Sequence, residues 1–207
     1  MNTGSTSDSY KTIRSVSEGI YKEKGSRFVA AAYPVSCEEE IKAILEEVRK
    51  KHHGARHNSY AYILGKDGSK WRANDDNEPS GTAGRPILGQ IRSHGLSNVL
   101  LTVSRYFGGT LLGVSGLTNA YKTAAGNALN NAEIIELAIM EYYEIRFPWQ
   151  AMNDVMRIIK EESVIQGSHT FDLECTMKVS FRSGSKEKVL DRLSRMDGLS
   201  WKFLEVR

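Results

Sequence analysis

Asp75, Asp76 and Glu78 stand close together in the stretch DDNEPSGTAGRPIL, residues 75–88. Carboxylate oxygens clustered on one loop are ligands that a hard divalent cation such as magnesium takes. The spacing departs from the D-x-[DN]-x-[DN]-G calcium loop, and no second ligand cluster accompanies it. The other chemistry open to these residues is a shaped turn. Short acids accept local backbone N–H groups, and the Glu78-Pro79 step favours an extended entry to the next segment. A turn leading into a helix near Ile87, with no resident metal or cofactor, is the expectation.

A second group is built from glycine. Gly108, Gly109, Gly113 and Gly116 lie between an apolar stretch and a helical pattern, which leaves backbone N–H groups uncovered beside a helix N-terminus. Such a loop binds phosphate or carboxylate, with Arg85, Ser104, Arg105, Ser115 and Lys122 as polar helpers. It has neither a Walker lysine nor a G-x-G-x-x-G spacing, and close strand-to-helix packing explains the same glycines without a ligand. The third group is cationic. RKKHHGARH brings Arg49, Lys50, Lys51, Arg56 and His57 together without one acid, the residue types that neutralise nucleic-acid phosphates or that simply favour a helix C-terminus. His57 has the chemistry of a general base, but no Ser or Cys nucleophile with a partnering acid is identifiable.

The elements that position these groups are legible from periodicity. Thr12 to Val16 and Arg27 to Tyr33 read as strands around a charged turn with Gly25. Ser36 and Glu39 form a capping box for an amphipathic helix reaching about Lys51. NSYAYILG and the region of Trp71 read as a hairpin across Asp67-Gly68. NVLLTVSRY, residues 98–106, reads as a strand buried on both faces, and Leu117 to Asn131 as a helix. Beyond it, Ile139 to Arg146 is a strand, Pro148 suits the first position of a helix, and Phe171 to Phe181 alternates strictly. Another helix begins at Val189, and LSWKFLEV closes as a strand. With a hairpin turn near Gly167-Ser168 or near Asp172, the order is βαββαβ, a ferredoxin-like plait.

Hydrophobic residues make up 40% and charged residues 26% of 207, a globular composition long enough for two small domains. Cys37 and Cys175 form no ligand or disulfide pattern, which fits a reducing cytosol. MNTGSTSDSY has no export signature, and no run of about 18 apolar residues occurs, so no membrane contact is expected. Residues 1–135 hold 17 Lys/Arg against 13 Asp/Glu, whereas residues 136–207 hold 11 against 12, so a polyanion should meet the N-terminal part first. The expected division is a flexible tail over 1–9, an N-terminal domain over 10–135 and a C-terminal domain over 136–207.

DDNEPSGTAGRPIL, RYFGGTLLGVSGLTNAY and the earlier KGSRF together resemble the YigZ/IMPACT family, over about Lys11 to Leu129. Asp75, Asp76, Glu78, Pro79, Ser80, Gly81, Thr82 and Gly84 carry the acidic motif. The resemblance implies an α+β fold: an N-terminal α/β two-layer domain similar to RNase PH and a ribosomal-protein fold, then a ferredoxin-like βαββαβ domain. Eukaryotic relatives modulate translation through protein contacts made with a further domain that this sequence does not show. For bacterial-type members the implied role is nucleic-acid or ribosome binding. This chain has Asn77 and Ser115 where glycine is usual, and Ser59 where a cysteine is common, so no cysteine nucleophile stands there.

The resulting expectation is a cytoplasmic regulator of translation whose partners are RNA or the ribosome, or a protein of translation control. Arg85, Arg105, Gly108, Gly109, Gly113, Ser115 and Lys122 would bind an anion, and the cationic run would bind nucleic acid. The alternatives are a magnesium-dependent phosphotransferase or phosphohydrolase using Asp75, Asp76 and Glu78, and a pure protein-interaction module. The acidic motif and RYFGG are expected to meet in one surface groove.

Overall fold

A computed structural model of the chain describes residues 8–172 and 174–207. Most of the tail expected over 1–9 lies outside the described residues, as does Leu173. The chain divides into two compact units, one of residues 10–137 and one that takes in residues 8–9 and 138–207.

In the first unit the strands are β1 (Ser9–Ile13), β2 (Ser17–Glu23), β3 (Ser26–Pro34), β4 (His57–Leu64), β5 (Lys70–Asn74), β6 (Val99–Tyr106) and β7 (Ile134–Ala138). The helices are α1 (Glu38–Lys51), α2 (Gly84–Ser93) and α3 (Gly113–Asn130). Five strands form one antiparallel sheet in the order β2-β3-β6-β4-β5, and β1 pairs with β7 in a separate two-stranded sheet. β6 is central because its apolar residues serve both faces. Val99, Leu101 and Val103 join Phe28, Ala61 and Ile63 under α2 and α3, while Leu100 joins Tyr60, Tyr62 and Ile41 of α1. Helices therefore lie on both faces, so α1 adds a third layer to the two expected.

Several local readings shift. The first strand is Ser9–Ile13, not Thr12 to Val16, and Val16 is exposed. β2 has no counterpart among the expected strands because charged Glu18, Lys22 and Glu23 mask its alternation, yet Gly19 lies where a Cβ would overlap the Ala128 backbone of α3. The capping box is displaced: Cys37 is the N-cap, and the Ser36 N–H and Oγ–H donate to Glu40 Oε2 at 2.6 and 3.1 Å. α3 begins at Gly113, four residues before Leu117, so the last loop glycines belong to the helix.

The second unit contains β8 (Met140–Pro148), α4 (Met152–Glu161), β9 (Ile165–Thr170), β10 (Glu174–Arg182), α5 (Lys186–Ser194) and β11 (Ser200–Val206). The antiparallel sheet order β11-β8-β10-β9 is the ferredoxin-like plait. The hairpin turn falls near Asp172, and Gly167 and Ser168 lie inside β9. Pro148 ends β8 in extended conformation ahead of a 3-10 turn, so it precedes the helix instead of starting it. Cys175, Met177, Val179 and Phe181 face Val155, Ile159 and Val189 in a core of their own.

Candidate functional site

The acidic stretch is a turn held by its own carboxylate. Asp75 accepts N–H bonds from Gly81 at Oδ2 (2.9 Å) and from Ala83 and Gly84 at Oδ1 (3.0 and 2.8 Å), which ties the loop to the start of α2. Asp76 Oδ2 accepts the Asn58 N–H at 2.6 Å. Asp76 and Asn77 have φ of 47° and 67°, a left-handed region that Asp, Asn and glycine tolerate best. This accounts for a position where the resemblance expects glycine and this chain has Asn77. Gly84 packs where a Cβ would press on the Asn74 backbone, and Thr82 Oγ1–H donates to the Pro79 carbonyl at 2.7 Å. Ser59, fully buried, donates its hydroxyl to the Asp75 carbonyl at 2.8 Å.

Asp75 has a testable pH signature. Burial raises its pKa, but the bonds from Gly81, Gly84 and Ala83 outweigh it and hold the carboxyl below the usual aspartate range. A depressed folded-state pKa gives stability that is present above the unfolded pKa and lost as pH falls through the folded one. Asp75→Asn is expected to cost about 2 kcal/mol at neutral pH. The gap between variant and wild type, followed by urea unfolding, should close as the solution is acidified below the aspartate range.

Glu78 is the acid that turns inward. Its side chain is 2% exposed, and Oε1 receives Arg105 Nη1 at 2.7 Å and the Tyr121 hydroxyl at 2.8 Å. His57 Nε2 is 3.8 Å from the same oxygen, while its Nδ1–H donates to the Asp76 carbonyl at 2.7 Å. Burial, then the Glu78 charge, pushes the Tyr121 phenol well above its ordinary range, so it remains a hydrogen-bond donor. Phe28 packs edge-on against Tyr121 at 5.1 Å.

Glu78, Arg105 and His57 sit at a cleft of about 370 Å³ whose apolar lining includes Phe107, Leu111, Leu112, Val114 and Leu117. Arg56, Asn77, Pro79 and Gly113 also line it. The acidic motif and RYFGG thus meet in one groove. β4 and β6 bring them together, because His57 lies directly opposite Arg105 in register.

The structure divides the three sequence groups differently. Asp75, Asp76 and Glu78 point to separate tasks, and among the described residues no three His, Cys, Asp or Glu side chains converge on a metal-sized site. Of the anion set, Arg105 and Gly113 line the cleft. Gly108 and Gly109 are in the exposed loop above α3, Ser115 lies in that helix's first turn, and Arg85 and Lys122 are exposed and do not line the cleft. The cationic run is also split. Arg56 and His57 belong to the cleft, while Arg49, Lys50 and Lys51 form the end of α1, where Lys51 pairs with Glu18 at 3.1 Å. Ser104 lies on the α1 face and donates its hydroxyl to Asn58 Oδ1 at 2.6 Å, away from the glycine loop.

Sequence reasoning gave Arg27 and Tyr121 no place in the site and took Tyr106 and Phe107 only as part of the RYFGG motif. Arg27 lies 4.5 Å from the Tyr106 ring centroid, and Arg56 and Arg105 lie 5.4 and 5.6 Å from that of Phe107. His52 adds a hydrogen bond to the Tyr106 hydroxyl at 2.8 Å. Cations and aromatic rings therefore alternate where β6 leaves the sheet. The signal available beforehand was a buried helical tyrosine, whose hydroxyl must find a partner.

A family model described as the Impact N-terminal domain matches residues 24–129. The Bacillus subtilis protein described as IMPACT family member YvyE is 37% identical over 132 residues, 64% of this chain and 61% of that protein. The matched part therefore spans under two thirds of that relative's length. A crystal structure of a hypothetical protein, 24% identical, superposes with a TM-score of 0.70 over 96% of this chain and 98% of that one, a likeness of fold. A structure described as the two-domain translational regulator Yih1 is 26% identical and covers 57% of this chain and 48% of that one, with a TM-score of 0.39.

Proposed function

The chain belongs to the IMPACT family, and from that membership we propose that it regulates translation in the cytoplasm by holding single-stranded RNA on its N-terminal unit. The translational part of this reading comes from the family resemblance. The RNA part is carried by one observation, the pairing of exposed Arg27 with the Tyr106 ring and of exposed Arg56 with the Phe107 ring at the exit of β6. Aromatic faces stack bases of any identity, and guanidinium groups both meet phosphates and stack. Arg49 and Lys50, exposed at the end of α1, extend the cationic surface, and Lys51 contributes less because Glu18 already neutralises it. A phosphotransferase reading is less well supported, since Asp75 directs both oxygens to backbone N–H groups.

The test is the salt dependence of binding to a single-stranded RNA. Each phosphate contact contributes a slope of about −0.7 in log affinity against log salt. Arg27→Gln with Arg56→Gln should therefore flatten the plot by up to about 1.4, while a melting curve stays near that of the wild type because both side chains are exposed. An unchanged slope in the folded double variant removes this surface as the RNA contact. Crosslinking in cells then decides whether the RNA recovered is ribosomal.

A further inference from the structure

The sheet of the second unit ends on a strand whose outer side has no partner strand among the described residues. β11 pairs with β8 alone and stands at one end of the order β11-β8-β10-β9. All seven of its residues are exposed, with Trp201, Phe203, Leu204 and Val206 among them. An edge strand of this kind offers a row of backbone N–H and C=O groups to another strand, and its apolar side chains lose water when one arrives. A lysine and a bulge ordinarily discourage such pairing. β11 has both, in Lys202 and in a register shift between Phe203 and Glu205, yet together they suit one partner.

The bulge decides which residues share a face. Lys202 lies opposite Glu144 of β8 and Glu205 opposite Tyr142, and alternate residues of β8 share a face, so Lys202 and Glu205 do too in spite of their odd spacing. Trp201 and Val206 lie opposite Ile145 and Glu141, which puts both on the other face. We infer that β11 joins two copies of this chain edge to edge, antiparallel about a two-fold axis between Phe203 and Leu204, in one sheet continuous across both. In that register Lys202 of each copy meets Glu205 of the other, and each Trp201 meets a Val206, with faces matched. Opposite charges and apolar pairs directly across from one another are what stabilise an antiparallel ladder. Neighbouring registers set Lys202 against itself, Glu205 against itself or Lys202 against Arg207, or oppose residues of unlike face. Within its own chain Glu205 Oε1 meets Arg207 Nη2 at 2.7 Å in an exposed pair, so in the dimer it stands between two cations.

The experiment is sedimentation equilibrium of the full chain over a wide range of concentration, for the wild type, Lys202→Glu, Glu205→Lys and an equal mixture of the two variants. The wild type is expected to show a reversible monomer–dimer equilibrium. Each variant sets like charges opposite one another, twice per dimer because a two-fold contact uses the same patch on both copies, and should raise the dissociation constant by about tenfold. In the mixture the Lys202→Glu chain brings acids to both positions and the Glu205→Lys chain lysines, so opposite charges meet again and heterodimers should form with nearly wild-type affinity. Both side chains are exposed, so the melting curves are expected to stay near that of the wild type. Recovery in the mixture also separates a lost contact from a chain that fails to fold. A wild type that stays monomeric into the millimolar range overturns the edge contact. A dimer that neither variant weakens forms elsewhere on the chain and overturns it equally, as does one weakened by both variants that the mixture does not restore.

Discussion

Glu78→Gln should lower the stability of the N-terminal unit by about 3–5 kcal/mol, the cost of leaving one member of a buried ion pair without its counter-charge. The side chains of Glu78 and Arg105 are 2% and 6% exposed, so water cannot replace the lost carboxylate charge. Tyr121 donates its hydroxyl to the same oxygen, which extends the loss beyond a single pair. Replacing both partners, Glu78→Leu with Arg105→Met, removes the charges together and should recover much of the loss. Urea unfolding of Glu78→Leu, Arg105→Met and the double variant closes the cycle. A cost below about 1 kcal/mol for Glu78→Gln would mean that the pair behaves as a surface ion pair, and the buried floor of the cleft would have to be redrawn.

The second large effect is expected at Gly108. A Cβ built there would overlap the backbone of Gly25 and Ser26 at the β2–β3 turn, where Gly25 itself needs φ of 81°. Gly108 N–H also donates to Ser26 Oγ at 3.1 Å. Backbone cannot step aside as a side chain can, so Gly108→Ala should cost about 3 kcal/mol or more. Gly109→Ala meets open space and pays only for a left-handed backbone at φ of 87°, about 1 kcal/mol. Comparing the two urea midpoints separates packing from ligand contact at adjacent glycines. Equal midpoints would defeat the packing account. This close approach also explains why KGSRF and RYFGG, far apart in the chain, accompany one another as motifs.

Order and type of element were written in local periodicity. Tyr60, Tyr62 and Leu64 alternate because one face of β4 meets α1, and Cys175 to Phe181 alternate because one face of β10 meets α4 and α5. The ferredoxin-like order came from the same signal. β2 escaped it because charged residues occupy its outward positions, and β7 because its apolar residues are half exposed. The capping box failed for a different reason: Ser36 found Glu40 one residue beyond Glu39, a choice of register that spacing alone leaves open.

The sequence by itself determined most of the periodic elements, a turn in the acidic stretch leading into a helix near Ile87, and the excess of positive charge in the N-terminal part, because each depends on neighbouring residues or on composition. Only the tertiary structure decided what the chemical groups do. Asp75 became a backbone cap, Glu78 a buried counter-ion and Gly108 a packing contact, although all three belong to motifs that suggested ligands. His57 and Arg105 became neighbours through the pairing of β4 with β6, and Arg56 left the rest of its cationic run to join them. The physical reason is that charge, hydrogen bonding and burial act through space. A carboxylate's role is set by which N–H groups, guanidinium and water surround it, and those partners arrive from strands and helices tens of residues away.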